Sequence, residues 1–160
     1  MNLIDYVIYG AKSILNNLKS YDVSKLSELQ RSEVAALIQP ILPGGYVLPD
    51  LKYRLPTDDL IKNLFAEWSN WRKLQNTKYS ELFDCDNFAL DFAAYISRKR
   101  LGICVGFIHY TKPDGTSHAE GYYINSERKH QLIEPQYSYP DIRYLDSTKK
   151  VRVIYLQGYK

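Results

Sequence analysis

The sequence predicts an α+β fold, with a helical N-terminal half followed by a helix packed on a small antiparallel sheet. Apolar residues recur at helical spacing as far as Ile96, and after Gly102 the period changes from about four to two. Between two alternating stretches stands Lys112-Pro113-Asp114-Gly115, where Pro presets φ and Gly accepts a positive φ, so the stretches form a hairpin.

Each element follows in order. Leu3, Ile4, Val7, Ile8, Ala11, Ile14, Leu15 and Leu18 place a first helix at about residues 2 to 19. Ser24 is the expected cap of a second, with Leu26, Leu29, Val34, Leu37 and Ile38 apolar, ending before Pro40. Pro40, Pro43, Pro49 and Pro56, with Gly44-Gly45, mark an ordered loop or hinge. Thr57 caps a third helix, with Asp58 and Asp59 in its first turn and Leu60, Leu64, Trp68 and Trp71 on one face. Asp84 caps a fourth, over about residues 85 to 99, whose apolar stripe is Phe88, Phe92, Tyr95 and Ile96. Strands are expected at Ile103 to Tyr110, Ser117 to Ile124, Gln131 to Ile133 and Val151 to Leu156. The 160 residues suit one domain, divided into a helical region, 1–75, and a helix-plus-sheet core, 76–160.

Composition excludes several classes. The formal net charge of +3, with basic and acidic residues interspersed, gives no nucleic-acid footprint, and Arg98-Lys99-Arg100 reads as a helix C-terminus. No stretch approaches the length of a membrane span, and Asp5 interrupts the N-terminus before any secretory apolar run. Cys85 and Cys104 make no disulfide framework and no zinc spacing, so a reducing, cytoplasmic setting is expected, with no metal and no cofactor. The 15 Tyr are numerous enough for some rings to line a groove or partner surface.

Chemistry, if any, centres on Cys85. In Asp84-Cys85-Asp86-Asn87-Phe88 the thiol sits in the first helical turn, where unpaired N–H groups and the dipole favour thiolate, while Asp84 and Asp86 oppose it. Catalysis then needs a cationic partner. His118, at the start of the return strand, is the candidate base, and cross-strand counting brings Glu134 or Gln136 beside it as the orienting acceptor. Trp68, Trp71, Tyr122 and Asp86 are the candidate substrate contacts. Cys104 reads as core packing, His109 as structural or surface, and His130 as a solvent-exposed loop residue. A mixed Zn²⁺ site of Cys85, Asp86, His118 and Glu134 is the weaker alternative, because no two ligands stand at short local spacing.

Cysteine at a helix start, histidine on a strand and a polar residue on the next strand resembles the chain order of papain-like and transglutaminase-like cysteine hydrolases. The pieces are Asp84-Cys85-Asp86-Asn87-Phe88-Ala89, Ser117-His118-Ala119 and Ile133-Glu134-Pro135-Gln136, and they are also similar to small proteins of bacteria and phages grouped with that superfamily. The resemblance implies a circularly arranged papain-like core and attack by Cys85 on an amide or acyl carbon, with an oxyanion hole using the Cys85 N–H. It spans about residues 80 to 137.

Two functions are therefore expected in competition. One is a cysteine hydrolase or acyltransferase with a Cys-His-Glu triad, acting on a peptide or other amide-bearing substrate. The other is a non-catalytic module of the same fold, used for binding or as a phage structural or cargo protein, with residues 1–75 as a docking segment for a protein partner. In either case the expected setting is the cytoplasm, or a phage particle or phage-infected cell.

Overall fold

The computed structural model describes residues 21–42, 44–75, 80 and 84–159. The helix expected at about residues 2 to 19 lies outside them. In chain order the described elements are β1 (Glu28–Gln30), α1 (Arg31–Ile38), β2 (Tyr46–Val47), β3 (Lys52–Arg54), α2 (Asp58–Gln75), α3 (Cys85–Arg98), β4 (Val105–Thr111), β5 (Ser117–Ile124), β6 (His130–Ile133), β7 (Ile142–Tyr144) and β8 (Lys150–Gln157).

The expected helical N-terminal half is corrected, because three of the eight described strands precede α2. Ser24 does not cap a helix. Its N–H and hydroxyl both bond Asp22 Oδ1, at 3.0 and 2.5 Å, which turns the chain instead. Leu29 then pairs with Tyr53 in a β1–β3 ribbon, and the helix begins only at Arg31. The Pro-rich stretch carries β2 and β3.

Downstream, local signals act as expected. Thr57 Oγ1 accepts the Leu60 N–H at 3.2 Å and opens α2. At α3, Asn87 Oδ1 accepts the Asp84 N–H at 3.2 Å, the reciprocal half of a capping box. Gly115 adopts φ +88° and closes the hairpin, its N–H donating to the Lys112 carbonyl at 2.9 Å.

Six strands form one sheet in the order β2-β8-β4-β5-β6-β7, with only β2–β8 parallel. Both faces are covered, not one. Leu29, Val34, Ile38 and Tyr53 pack from the N-terminal side onto Ile108, Tyr122, Leu132 and Ile154. On the other face Leu64, Phe65 and Trp68 of α2 and Phe88, Phe92 and Ile96 of α3 pack with Val105, Tyr123 and Ile133. Seven of the eight residues of β5 are therefore buried, which is the pattern of a strand enclosed on both sides. Gly121 permits the close approach of α3, since a Cβ there would lie 2.6 Å from Ile133 and 3.0 Å from Phe92.

His130 joins the first core rather than the solvent. Its ring stacks on Tyr122 at 6.0 Å, and its Nδ1 lies 2.5 Å from the Tyr122 hydroxyl. Burial holds its pKa below the usual 6.5, against a hydrogen bond to the Leu37 carbonyl that favours the charged form. A lowered folded pKa means stability that is present above pH 6.5 and is lost as pH falls through the folded value. Thermal melts across that window are expected to show Tm falling with acidification, and a smaller slope in His130→Gln; an unchanged slope in the variant would refute the assignment.

Candidate functional site

The antiparallel register sets His118 and Glu120 on one face of β5, and Glu134 follows the last residue of β6. His118 Nε2 lies 2.7 Å from Glu134 Oε2, and Glu134 Oε1 accepts the Gln136 N–H at 3.1 Å. Glu120 Oε1 lies 3.7 Å from His118 Nε2, and Glu120 also accepts the Tyr110 hydroxyl and, at 2.6 Å, the Arg143 guanidinium. The Tyr110 ring stands edge-on to His118 at 5.8 Å. Burial raises the Glu120 carboxyl, and the Tyr110 and Arg143 hydrogen bonds and charges oppose that rise. Burial pushes the Tyr110 phenol up, which keeps it a donor. His118, Glu120 and Glu134 present a nitrogen and two carboxylates within 4.8 Å of one another, a donor set that suits a borderline divalent cation. Within the protein, however, each is already hydrogen-bonded or ion-paired, and Arg143 balances one of the two carboxylates. Glu134 rather than Gln136 is the residue whose side chain meets His118.

Among the described residues Cys85, at the start of α3, is hydrogen-bonded to none of these. It is half-buried and free of disulfide bonding. Its neighbours Asp84 and Asp86 hydrogen-bond one another, which raises the first carboxyl and lowers the second. The histidine whose charge also holds Asp86 down is His109, a residue read from sequence as structural or surface. The other expected contacts are mostly interior. Trp68 and Tyr122 are wholly buried, with Trp68 Nε1–H donating to Asp91 at 2.9 Å. Trp71 is half-buried against Tyr95 at 5.9 Å, whereas Asp86 is exposed.

An exposed aromatic pair lies on the β6–β7 loop, which sequence reasoning did not single out. Tyr137 and Tyr139 stack at 5.4 Å with 25° between ring planes, and they are 45% and 59% exposed. Beside them a groove of about 150 Å³ is lined by Ser69, Arg72, Lys73, Gln136, Tyr137 and Ser138. The only signals for it in the sequence are the abundance of Tyr and the Tyr137-Ser138-Tyr139-Pro140 string.

No family model matches the chain, and no curated protein matches it by sequence. Solved structures do. A PSL1a–E64 complex aligns with a TM-score of 0.62 and 18% identity over 79% of this chain and 50% of its own. The Polyporus squamosus lectin bound to the human-type influenza-binding epitope Neu5Acα2-6Galβ1-4GlcNAc aligns with a TM-score of 0.60 and 20% identity over 79% of this chain and 48% of its own. At such identity the likeness concerns the fold, and the chain spans about half the length of each of these structures.

This finding corrects the resemblance to papain-like and transglutaminase-like hydrolases, since the fold is shared with a lectin. The expected hydrolase or acyltransferase activity and its peptide or amide substrate are corrected with it. Among the described residues His118 Nε2 engages Glu134 Oε2 at 2.7 Å, and no hydrogen bond joins Cys85 to His118.

Proposed function

We propose that this chain is a non-catalytic binding module for carbohydrate, with the Tyr137–Tyr139 pair as its platform. The exposed ring pair beside a polar groove is the observation that carries the reading. The C–H faces of a sugar ring suit an aromatic surface, and its hydroxyls need nearby donors and acceptors. Ser69, Gln136 and Ser138 supply the latter. Tyrosine also offers contact area with little side-chain entropy to lose, and the two rings hold each other in place. The Polyporus squamosus lectin, which has the same fold over the aligned part, is bound to a glycan, and this supports the class of ligand.

The test is binding of the protein to an array of immobilised glycans, followed by calorimetry on the best ligand. Tyr139→Ala is expected to weaken binding by about tenfold or more, roughly 1.4 kcal/mol, with the fold intact because the ring is exposed. Cys85→Ala is expected to bind as the parent does. An array on which nothing binds, or a Cys85→Ala variant that loses the ligand, would sink the proposal.

A further inference from the structure

We propose that the buried His118–Glu134 pair positions the loop that carries Tyr137 and Tyr139, so that the two rings are set before a ligand arrives; the use of the rings rests on the glycan reading above. His118 and Glu134 are buried, whereas Tyr137 and Tyr139 project into solvent. The two tyrosines follow Glu134 by three and five residues.

Glu134 holds the start of the loop in three directions. Its Oε2 lies 2.7 Å from His118 Nε2, its Oε1 accepts the Gln136 N–H at 3.1 Å, and its backbone carbonyl accepts the Tyr137 N–H at 3.4 Å. Pro135 has no N–H, so Gln136 carries the first amide beyond Glu134 that can reach the carboxylate. From the side of α2, Arg72 Nη1 donates to the Pro135 carbonyl at 3.3 Å.

The far end of the loop returns to the same cluster. The Glu134 N–H donates to the Asp141 carbonyl at 3.3 Å, and the Asp141 carboxylate pairs with Arg143 Nε at 3.0 Å. Arg143 then donates to Glu120 at 2.6 Å, and Glu120 Oε1 lies 3.7 Å from His118 Nε2. The contacts close into a ring, and residues 135–140 are the span it ties off.

Sheet stability does not account for this ring. Burying a carboxylate is costly even when it is paired, and apolar residues of similar volume would hold the strands as well or better. A fixed root for the loop does account for it. An exposed loop samples many conformations, and ordering it on binding would subtract from affinity. The stacked tyrosines, 5.4 Å apart, are the groups that gain from being ordered beforehand.

The test joins amide hydrogen exchange, followed by NMR, to calorimetry on the best ligand from the glycan array. The Ile108 and Ile154 amides of the sheet report global opening. Relative to them, Gln136 and Tyr137 are expected to exchange at least about tenfold faster in Glu134→Ala. Ligand affinity should fall about tenfold in the same variant. Glu134→Gln should restore both, because its amide still accepts the Gln136 N–H and can donate to His118. In a Tyr139→Ala background Glu134→Ala should cost little further affinity, since it acts through the ring pair. Should Glu134→Ala fail to fold, Arg143→Gln at the half-exposed side of the ring carries the same expectation for the two loop amides. Loop amides that keep the parent's rates relative to the sheet, or a Glu134→Gln variant no better than Glu134→Ala, overturn the inference while the glycan reading stands. A parent that binds nothing on the array overturns the glycan reading, and the exchange rates still decide whether the pair anchors the loop.

Discussion

Gly106→Ala is expected to destabilise the protein by more than about 3 kcal/mol, an effect at the top of the range for single substitutions. Gly106 is the second residue of β4, opposite Leu156 of β8. A Cβ built there would sit 1.8 Å from the Tyr155 carbonyl oxygen and 2.9 Å from the Leu156 Cα. Those are backbone atoms, so no rotamer change relieves the clash. Strands β4 and β8 would have to separate, at the centre of the sheet and on top of both cores. Chemical denaturation should show the loss directly, and a variant within 1 kcal/mol of the parent would contradict the close approach.

Glu120→Ala is expected to cost about 3 kcal/mol. The carboxylate is 1% exposed, and its removal strips the Tyr110 hydroxyl and the Arg143 guanidinium of their acceptor at once. Arg143 is 41% exposed, so it can turn to water, and it keeps its pair with Asp141, which limits the loss on that side. Tyr110 has no such escape, being 1% exposed. Pairing Glu120→Ala with Tyr110→Phe in a double-mutant cycle should recover at least about 0.5 kcal/mol relative to additivity. Strict additivity would mean that the two groups do not interact.

The chain makes its local signals legible and hides its long-range ones. Thr57, Asp84 and Pro113-Asp114-Gly115 each act within a few residues, so α2, α3 and the β4–β5 hairpin could be placed from sequence. Strands β2, β3 and β7 are two or three residues long, too short for any period to appear. They exist because distant partners receive them, β2 alongside Ile154 and Tyr155 and β3 alongside Leu29. The double burial of β5 likewise depends on α1 and the β1–β3 ribbon arriving on the face opposite α2 and α3.

The candidate site divides in the same way. His118 and Glu134 could be brought together by counting across a short loop, since Gly121↔Ile133 and Tyr122↔Leu132 fix the register. Extending it sets Glu134 opposite Glu120, from where its carboxylate reaches His118 along the diagonal. Glu120 itself looked like an ordinary strand residue, and its partner Arg143 lies in one of the strands that could not be foreseen. No comparable rule connects Cys85 to His118, because the distance between a helix start and a sheet is set by packing alone. The stacked tyrosines were invisible for a plainer reason: nothing local distinguishes an exposed Tyr139 from a buried Tyr123.

The place of β8 in the sheet has a consequence for biosynthesis. It lies between β2 and β4, and it hydrogen-bonds β4 along nearly its whole length. While a nascent chain is being made, β4, β5 and β6 can pair as they emerge, but one side of β4 stays without a neighbour until residues 150–157 have left the ribosome. At about 5–20 residues per second that interval lasts seconds, and an unpaired strand with an apolar face is an aggregation hazard for as long. Strand β2, made more than a hundred residues earlier in β2–β8 pairs such as Tyr46↔Ile154, must wait longer still. Such non-local closure slows folding, so a stalled or truncated translation product is the species that chaperones would have to hold.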